Sequence, residues 1–147
     1  MRVLIAEDEP LTAATLACML ERAGYEVLAP VASVRAVLDQ ARLGAFDVAL
    51  LDVELGPGGS GIAAARGLAR HFGLPSLFVT AHAEKARAAA DAALGVLCKP
   101  LDPVLLEAAM ASVRLVLAGQ SPQAAGFELF PGAALRPFRT ARSLRGG

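Results

Sequence analysis

Asp52 closes the run Phe46-Asp47-Val48-Ala49-Leu50-Leu51-Asp52, and the pair Glu7-Asp8 closes another, Val3-Leu4-Ile5-Ala6. Carboxylates gathered at strand ends repel one another until a cation or a proton joins them, so these three residues predict a site. Their oxygens are hard donors of the kind Mg²⁺ prefers, and few enough to leave positions for water and a phosphoryl oxygen. With that ion bound, Asp52 could act as a carboxylate nucleophile toward a phosphoryl donor, the metal neutralising charge on the transferred group. Lys99 and Thr80, which also end apolar runs, supply an ammonium and a hydroxyl for the remaining oxygens. Taken singly, most of these residues have ordinary roles: solvated loop acids, a strand-ending threonine, a surface lysine before Pro100. Asp52 is the exception, because a charge directly after Ala49-Leu50-Leu51 sits at the core boundary and needs a partner.

The elements that must position these groups are legible as alternating runs. Val3 to Ala6 reads as a buried strand, and Pro10 suits the first turn of a helix carrying Leu11, Leu16, Met19 and Leu20 up to Gly24. A second strand is expected over Val27 to Val31, with Pro30 near its end. Ser33 is placed to cap a helix through Val34, Val37, Leu38 and Ala41 that leaves at Gly44. The third strand, Asp47 to Leu51, is continuously apolar, as in a parallel sheet covered on both faces. After the loop Gly56-Pro57-Gly58-Gly59-Ser60-Gly61, a helix through Ile62, Ala65, Leu68 and Ala69 closes near Gly73. Leu77 to Thr80 is the fourth strand, Ala83 to Ala93 an alanine-rich helix, Gly95 to Cys98 the fifth strand. Asp102 is placed to cap a last helix carrying Leu105, Leu106, Ala109, Met110, Val113 and Leu117.

Five strands alternating with five helices predict an α/β fold with one doubly wound, five-stranded parallel sheet. Right-handed crossovers then bring the carboxyl ends of all strands to one edge, where Glu7, Asp8, Asp52, Thr80 and Lys99 converge.

Composition bounds the rest. A chain of 147 residues holds one well-filled core. Formal charge is zero, from 14 basic and 14 acidic residues, so nucleic acid and anionic membrane are not expected as main partners. Arg136, Arg139, Arg142 and Arg145 stand against Glu128 in residues 119–147, which leaves residues 1–118 acidic by three charges. Cys18 and Cys98 lie in apolar segments and are expected as small buried thiols. No apolar stretch is long enough to cross a bilayer and no secretory pattern opens the chain, so the cytoplasm is the expected compartment.

The chain resembles the receiver domains of two-component response regulators over about residues 1–118. The likeness lies in Val3-Leu4-Ile5-Ala6-Glu7-Asp8-Glu9-Pro10, in Leu51-Asp52-Val53-Glu54-Leu55 followed by Ser60-Gly61, in Phe78-Val79-Thr80-Ala81, and in Cys98-Lys99-Pro100-Leu101. Each fragment alone is weak; their order and spacing are specific. The resemblance implies a flavodoxin-like receiver fold in which Asp52 accepts a phosphoryl group from a phosphohistidine on a histidine kinase or phosphotransfer protein. It implies that Glu7, Asp8 and Asp52 hold Mg²⁺ with the backbone carbonyl of Glu54. Thr80 would then be the switch hydroxyl, Lys99 the phosphate-contacting lysine, and the Lys99-Pro100 bond cis.

The chain departs from the family's pattern in three places. The aromatic switch residue usually lies three before the lysine, where this chain has Val96. The span from Thr80 to Lys99 is short, which unsettles any carry-over of the usual dimer, although a homodimer stays open. The loop after Asp52 is glycine-rich where most members have Pro and then Asp-Gly. It is not a nucleotide loop, because no Gly-Lys-Ser/Thr ending follows, and the first strand-to-helix turn lacks the dinucleotide fingerprint. His82, just past Thr80, is expected to influence dephosphorylation at most. His71 is expected on the exposed end of the third helix.

Residues 119–147 break periodicity at Ser121-Pro122, Gly126, Pro131-Gly132 and Pro137 and are expected as a tail, mobile or lying along the domain. Phe127, Leu129, Phe130, Leu135 and Phe138 are its candidate docking residues. With no DNA-binding domain in these residues, the favoured expectation is a stand-alone receiver signalling by protein contact or phosphorelay to a downstream protein. The first alternative is a pseudo-receiver that binds partners or dimerises without phosphorylation. The second is a phosphohydrolase, disfavoured because the loops are too short for a substrate cap. Any enzymatic character is therefore expected to be limited to Mg²⁺-dependent self-phosphorylation and self-dephosphorylation.

Overall fold

The computed structural model describes residues 1–121 and 127–131. The elements run β1 (Arg2–Ala6), α1 (Pro10–Arg22), β2 (Glu26–Val27), α2 (Val34–Arg42), β3 (Val48–Leu51), α3 (Gly61–Gly67), β4 (Ser76–Thr80), α4 (Ala83–Arg87), β5 (Gly95–Cys98), α5 (Pro103–Leu117) and β6 (Glu128–Leu129). The strands form one sheet in the order β2-β1-β3-β4-β5-β6. All neighbours are parallel except β5 and β6. The order reverses between β1 and β3, so the crevice beyond their carboxyl ends is the natural ligand position of this topology.

The pleat explains why the central strands are apolar apart from their ends, Arg2, Ser76 and Thr80. Leu4, Ala6, Ala49, Leu51, Phe78 and Val96 enter one cluster, with α2, α3 and the alanines of residues 83–93. Val3, Ile5, Val48, Leu50, Leu77, Val79 and Leu97 enter the other, with α1 and α5. Successive residues point to opposite faces and both faces are covered, so no strand position can be polar at low cost. Helix starts follow local chemistry. Pro10 opens α1, Ser33 Oγ accepts from the Ala36 amide at 3.1 Å, and Asp102 Oδ1 accepts from the Val104 amide at 2.8 Å.

Four expectations are corrected. The second strand, expected over Val27 to Val31, is regular only over Glu26–Val27. Pro30 has no amide to donate, and the chain returns to the sheet edge as a single bridge between Val31 and Ala6. The helix expected over Ala83 to Ala93 stops at Arg87. Ala83, Ala86, Ala89 and Ala92 are buried at intervals of three, a period that suits three-residue turns better than 3.6-residue ones. The chain accordingly continues through bonds from the Ala89 amide to Ala86 and from the Ala92 amide to Ala89, both 3.0 Å. Cys18 and Cys98 are exposed, Cys18 because it lies on the outer side of α1 between buried Leu16 and Leu20.

The fourth correction is the added strand. Residues 128–129 pair with β5, making the sheet six-stranded, and Phe127 and Phe130 are buried. Phe127, Leu129 and Phe130 thus pack on the domain, whereas Leu135, Phe138 and the four arginines of residues 136–145 lie outside the described residues. His71 is exposed, as expected.

Gly61 at the start of α3 fixes the distance between this helix and the chain at Asp52, just past β3. A Cβ there would lie 1.9 Å from the Asp52 carbonyl oxygen, and the Gly61 amide donates to the Val53 carbonyl at 2.8 Å. The Gly61→Ala substitution is expected to destabilise the fold by about 1–3 kcal/mol through overpacking, read as a lower urea midpoint. An unchanged midpoint would show that the helix can retreat freely.

Candidate functional site

Four of the strands end on a group capable of chemistry. Glu7 and Asp8 follow β1, Asp52 follows β3, Thr80 ends β4 and Lys99 follows β5. Backbone bonds lock these ends in register: the Glu7 amide donates to Val31 and the Asp52 amide to Ala6, while the Lys99 amide donates to Thr80, all at 2.9 Å. One oxygen each from Glu7, Asp8 and Asp52 lies within 4.8 Å of the others.

Lys99 holds this cluster together. Its Nζ donates to Glu7 Oε2 at 2.7 Å and to Asp52 Oδ2 at 2.9 Å. Both carboxylates are nearly buried, at 7% and 9% exposure, while Asp8 is open to solvent. Burial pushes the Glu7 carboxyl up, and neighbouring Asp52 adds to this, against the lowering influence of Lys99 and the Glu9 amide. For Lys99, burial disfavours the ammonium, but its bonds to Glu7 and Asp52 outweigh that and hold it above the usual lysine range. The two directions agree physically: one ammonium shared between two carboxylates is strongly held, yet does not offset the burial of Glu7.

The remaining oxygens are also engaged. Glu7 Oε1 accepts from the Glu9 amide at 3.1 Å and Asp52 Oδ1 from the Glu54 amide at 3.2 Å. Thr80 is fully buried, and its hydroxyl oxygen accepts from the His82 amide at 3.1 Å. The Lys99-Pro100 peptide is cis. Val96 is buried under the alanine segment, away from the cleft.

The cleft above the carboxylates has a volume of about 760 Å³ and opens between the Glu54–Ser60 loop and the start of α4. Its outer rim holds an ion pair that sequence reasoning missed. Lys85 donates to Glu54 Oε1, and His82 Nε2 lies 3.6 Å from Glu54 Oε2. The hydrogen bond from Lys85 holds the Glu54 carboxyl below the usual range. The signal was weak because these partners are separated by 31 positions and meet only when two loops face each other. Glu54, expected to offer only a backbone carbonyl, thus also contributes its side chain to the rim.

The donor set suits a small, hard divalent cation. Asp8 is exposed and accepts no hydrogen bond among those found in the described residues, and a Cβ on Gly56 would approach its Oδ2 to 3.1 Å, so glycine there keeps space beside this carboxylate. Such a cation would meet three carboxylates whose only ion-pair partner among the described residues is Lys99.

A parallel sheet with its acidic triad at the switch point, a lysine across from it and a hydroxyl on the intervening strand defines a flavodoxin-like receiver fold. The model of the response regulator receiver domain matches residues 3–111, and the chain belongs to that family. It is 35% identical over 102 residues to the transcriptional regulatory protein PdtaR of Mycobacterium tuberculosis, covering 67% of this chain and 49% of PdtaR. It is 33% identical over 87 residues to the phyllosphere-induced regulator PhyR of Methylorubrum extorquens, covering 56% of this chain and 32% of PhyR. The chain therefore spans between a third and a half of these relatives. The signal receiver domain of a modulated diguanylate cyclase from Desulfovibrio desulfuricans superposes with a TM-score of 0.67 at 34% identity, covering 75% of this chain and 90% of that one.

The Glu7 shift has a testable consequence. Because the folded carboxyl is raised above 4.5, its contribution favours folding below that value and is lost as pH rises through the folded pKa. Glu7→Gln is expected to stabilise the cation-free protein relative to wild type at neutral pH. That advantage should shrink to nothing on acidification, measured by urea unfolding between about pH 4 and pH 8. A pH-independent difference would contradict this electrostatic account.

Proposed function

We propose that Asp52 accepts a phosphoryl group from a phosphohistidine on a histidine kinase or phosphotransfer protein. The observation that carries this is the Lys99 ammonium shared by Glu7 and Asp52 inside an acidic triad. A carboxylate oxygen of Asp52 attacks phosphorus and the P–N bond to the imidazole breaks. The imidazole keeps the bonding electrons and takes up a proton, and an aspartyl phosphate remains.

Mg²⁺, held by Glu7, Asp8 and Asp52 with the Glu54 carbonyl, would supply charge neutralisation for the transferred group. Lys99 is positioned to follow the negative charge from the carboxylate to a phosphoryl oxygen without leaving the cleft. Thr80 can rotate its hydroxyl toward the same group. Glu54, Lys85 and His82 form a polar rim that a donor must pass or displace.

Signalling then proceeds by contact with a downstream protein or by onward phosphoryl transfer, in the cytoplasm where such kinases present their phosphohistidines. Among the described residues no helix is long and apolar enough to cross a membrane.

The test is incubation with a small phosphodonor and Mg²⁺, followed by intact-mass measurement. Wild type is expected to gain one phosphoryl group, Asp52→Asn none, and Lys99→Ala is expected to gain it about 100-fold more slowly. Labelling that persists in Asp52→Asn would refute the assignment. Absence of label from wild type would favour a phosphorylation-independent binding module.

A further inference from the structure

The outer edge of β5 is occupied by the chain itself. β6 pairs antiparallel with it, Leu129 opposite Gly95 and Glu128 opposite Val96. The Phe130 amide donates to the Leu94 carbonyl at 2.9 Å. The approach depends on Gly95, where a Cβ would lie 2.3 Å from the Glu128 carbonyl oxygen.

Three side chains fasten this segment. Phe127 joins the cluster of Leu97, Leu106 and Met110 beneath α5. Phe130, 4% exposed, joins Val96 and the buried alanines on the opposite face, its ring centroid 6.3 Å from that of Phe78. Arg87, the last residue of α4, donates from Nε to both Glu128 carboxylate oxygens at 3.0 and 2.9 Å.

These anchors connect to the cleft by a short route. Phe78 and Thr80 are alternate residues of β4 and face the same side. The Thr80 hydroxyl accepts from the His82 amide immediately before α4. A hydroxyl that turns to donate to a phosphoryl oxygen on Asp52 gives up its place opposite that amide. Movement there is passed to the short helix that ends in Arg87.

We propose that residues 127–131 are a strap, held on the β5 edge while Asp52 is unmodified and released when Asp52 carries a phosphoryl group. This rests on the acceptor role of Asp52 proposed above. In it Phe130 supplies, from outside the parallel sheet, the ring that position 96 lacks. Because the coupling is reciprocal, a strap that favours the unmodified state also weakens binding of a phosphoryl mimic.

The test is hydrogen exchange at the amides of residues 128–130 in the full chain, with and without beryllofluoride and Mg²⁺. Adduct formation is followed by fluorine NMR. Exchange at Glu128 and Phe130, whose amides face β5, is expected to rise at least about tenfold on adduct formation and to stay unchanged in Asp52→Asn. Phe130→Ala should show fast exchange without the adduct. Since that variant removes a buried ring, Arg87→Ala, altered only at an exposed side chain, provides the second arm. It is expected to exchange faster than wild type and to bind beryllofluoride more tightly. Adduct formation with unchanged strap exchange overturns the coupling and leaves the acceptor role standing. Failure to form the adduct, together with absence of phosphoryl label on Asp52, overturns both. An Arg87→Ala protein identical to wild type in exchange and affinity also overturns the strap.

Discussion

Two nearly buried carboxylates sharing one ammonium set the terms for this molecule. Lys99 cannot leave without exposing Glu7 and Asp52 to each other, whereas loss of either acid leaves the lysine paired with the other. The sheet is arranged around that constraint. Parallel pairing brings the ends of β1, β3 and β5 to one edge, and the apolar strands on both faces allow the charges only there. The Glu7 carboxyl is raised chiefly by its burial, with Asp52 adding to it and Lys99 opposing it. Three carboxylate oxygens within 4.8 Å of one another are a donor set that a small divalent cation would suit.

Strong periodicity makes most of the fold legible in the amino-acid order alone. Continuous apolar strands, Ser33 and Asp102 at helix starts, and Pro10 in the first turn of α1 are local signals, and the folded chain keeps each of them. The strand-end groups are legible for the same reason: a charge after an apolar run is conspicuous. Where expectation and fold part, the deciding interaction lies elsewhere in the chain. Alanine offers no side-chain pattern to separate 3.6 from three residues per turn, so the early end of α4 depends on how the segment meets the sheet. Cys18 reads as buried by composition, but helix phase turns it outward.

The tail shows the limit most clearly. Phe127, Leu129 and Phe130 stand out as apolar residues among turn formers, but no local rule assigns two residues to the edge of a sheet. That assignment depends on Gly95 having no side chain and on Arg87 standing opposite Glu128. The absence of an aromatic residue at position 96 is plain from the sequence. That Phe130 packs in the same cluster is not.

Gly61 gives the cleft a mechanical asymmetry. With helix α3 seated directly on the carbonyl of Asp52, the wall that carries Asp52 has no slack, and a push there cannot be accommodated by moving the strand beneath it. The opposite wall is lined by Ala81, His82, Lys85 and Ala88, and behind it Ala83, Ala86 and Ala89 meet the core through methyl groups that can slide over a surface without exchanging rotamers. A stiff wall facing a compliant one turns a symmetrical push into displacement on one side only. The direction of any response is therefore set by stiffness before the identity of a partner matters.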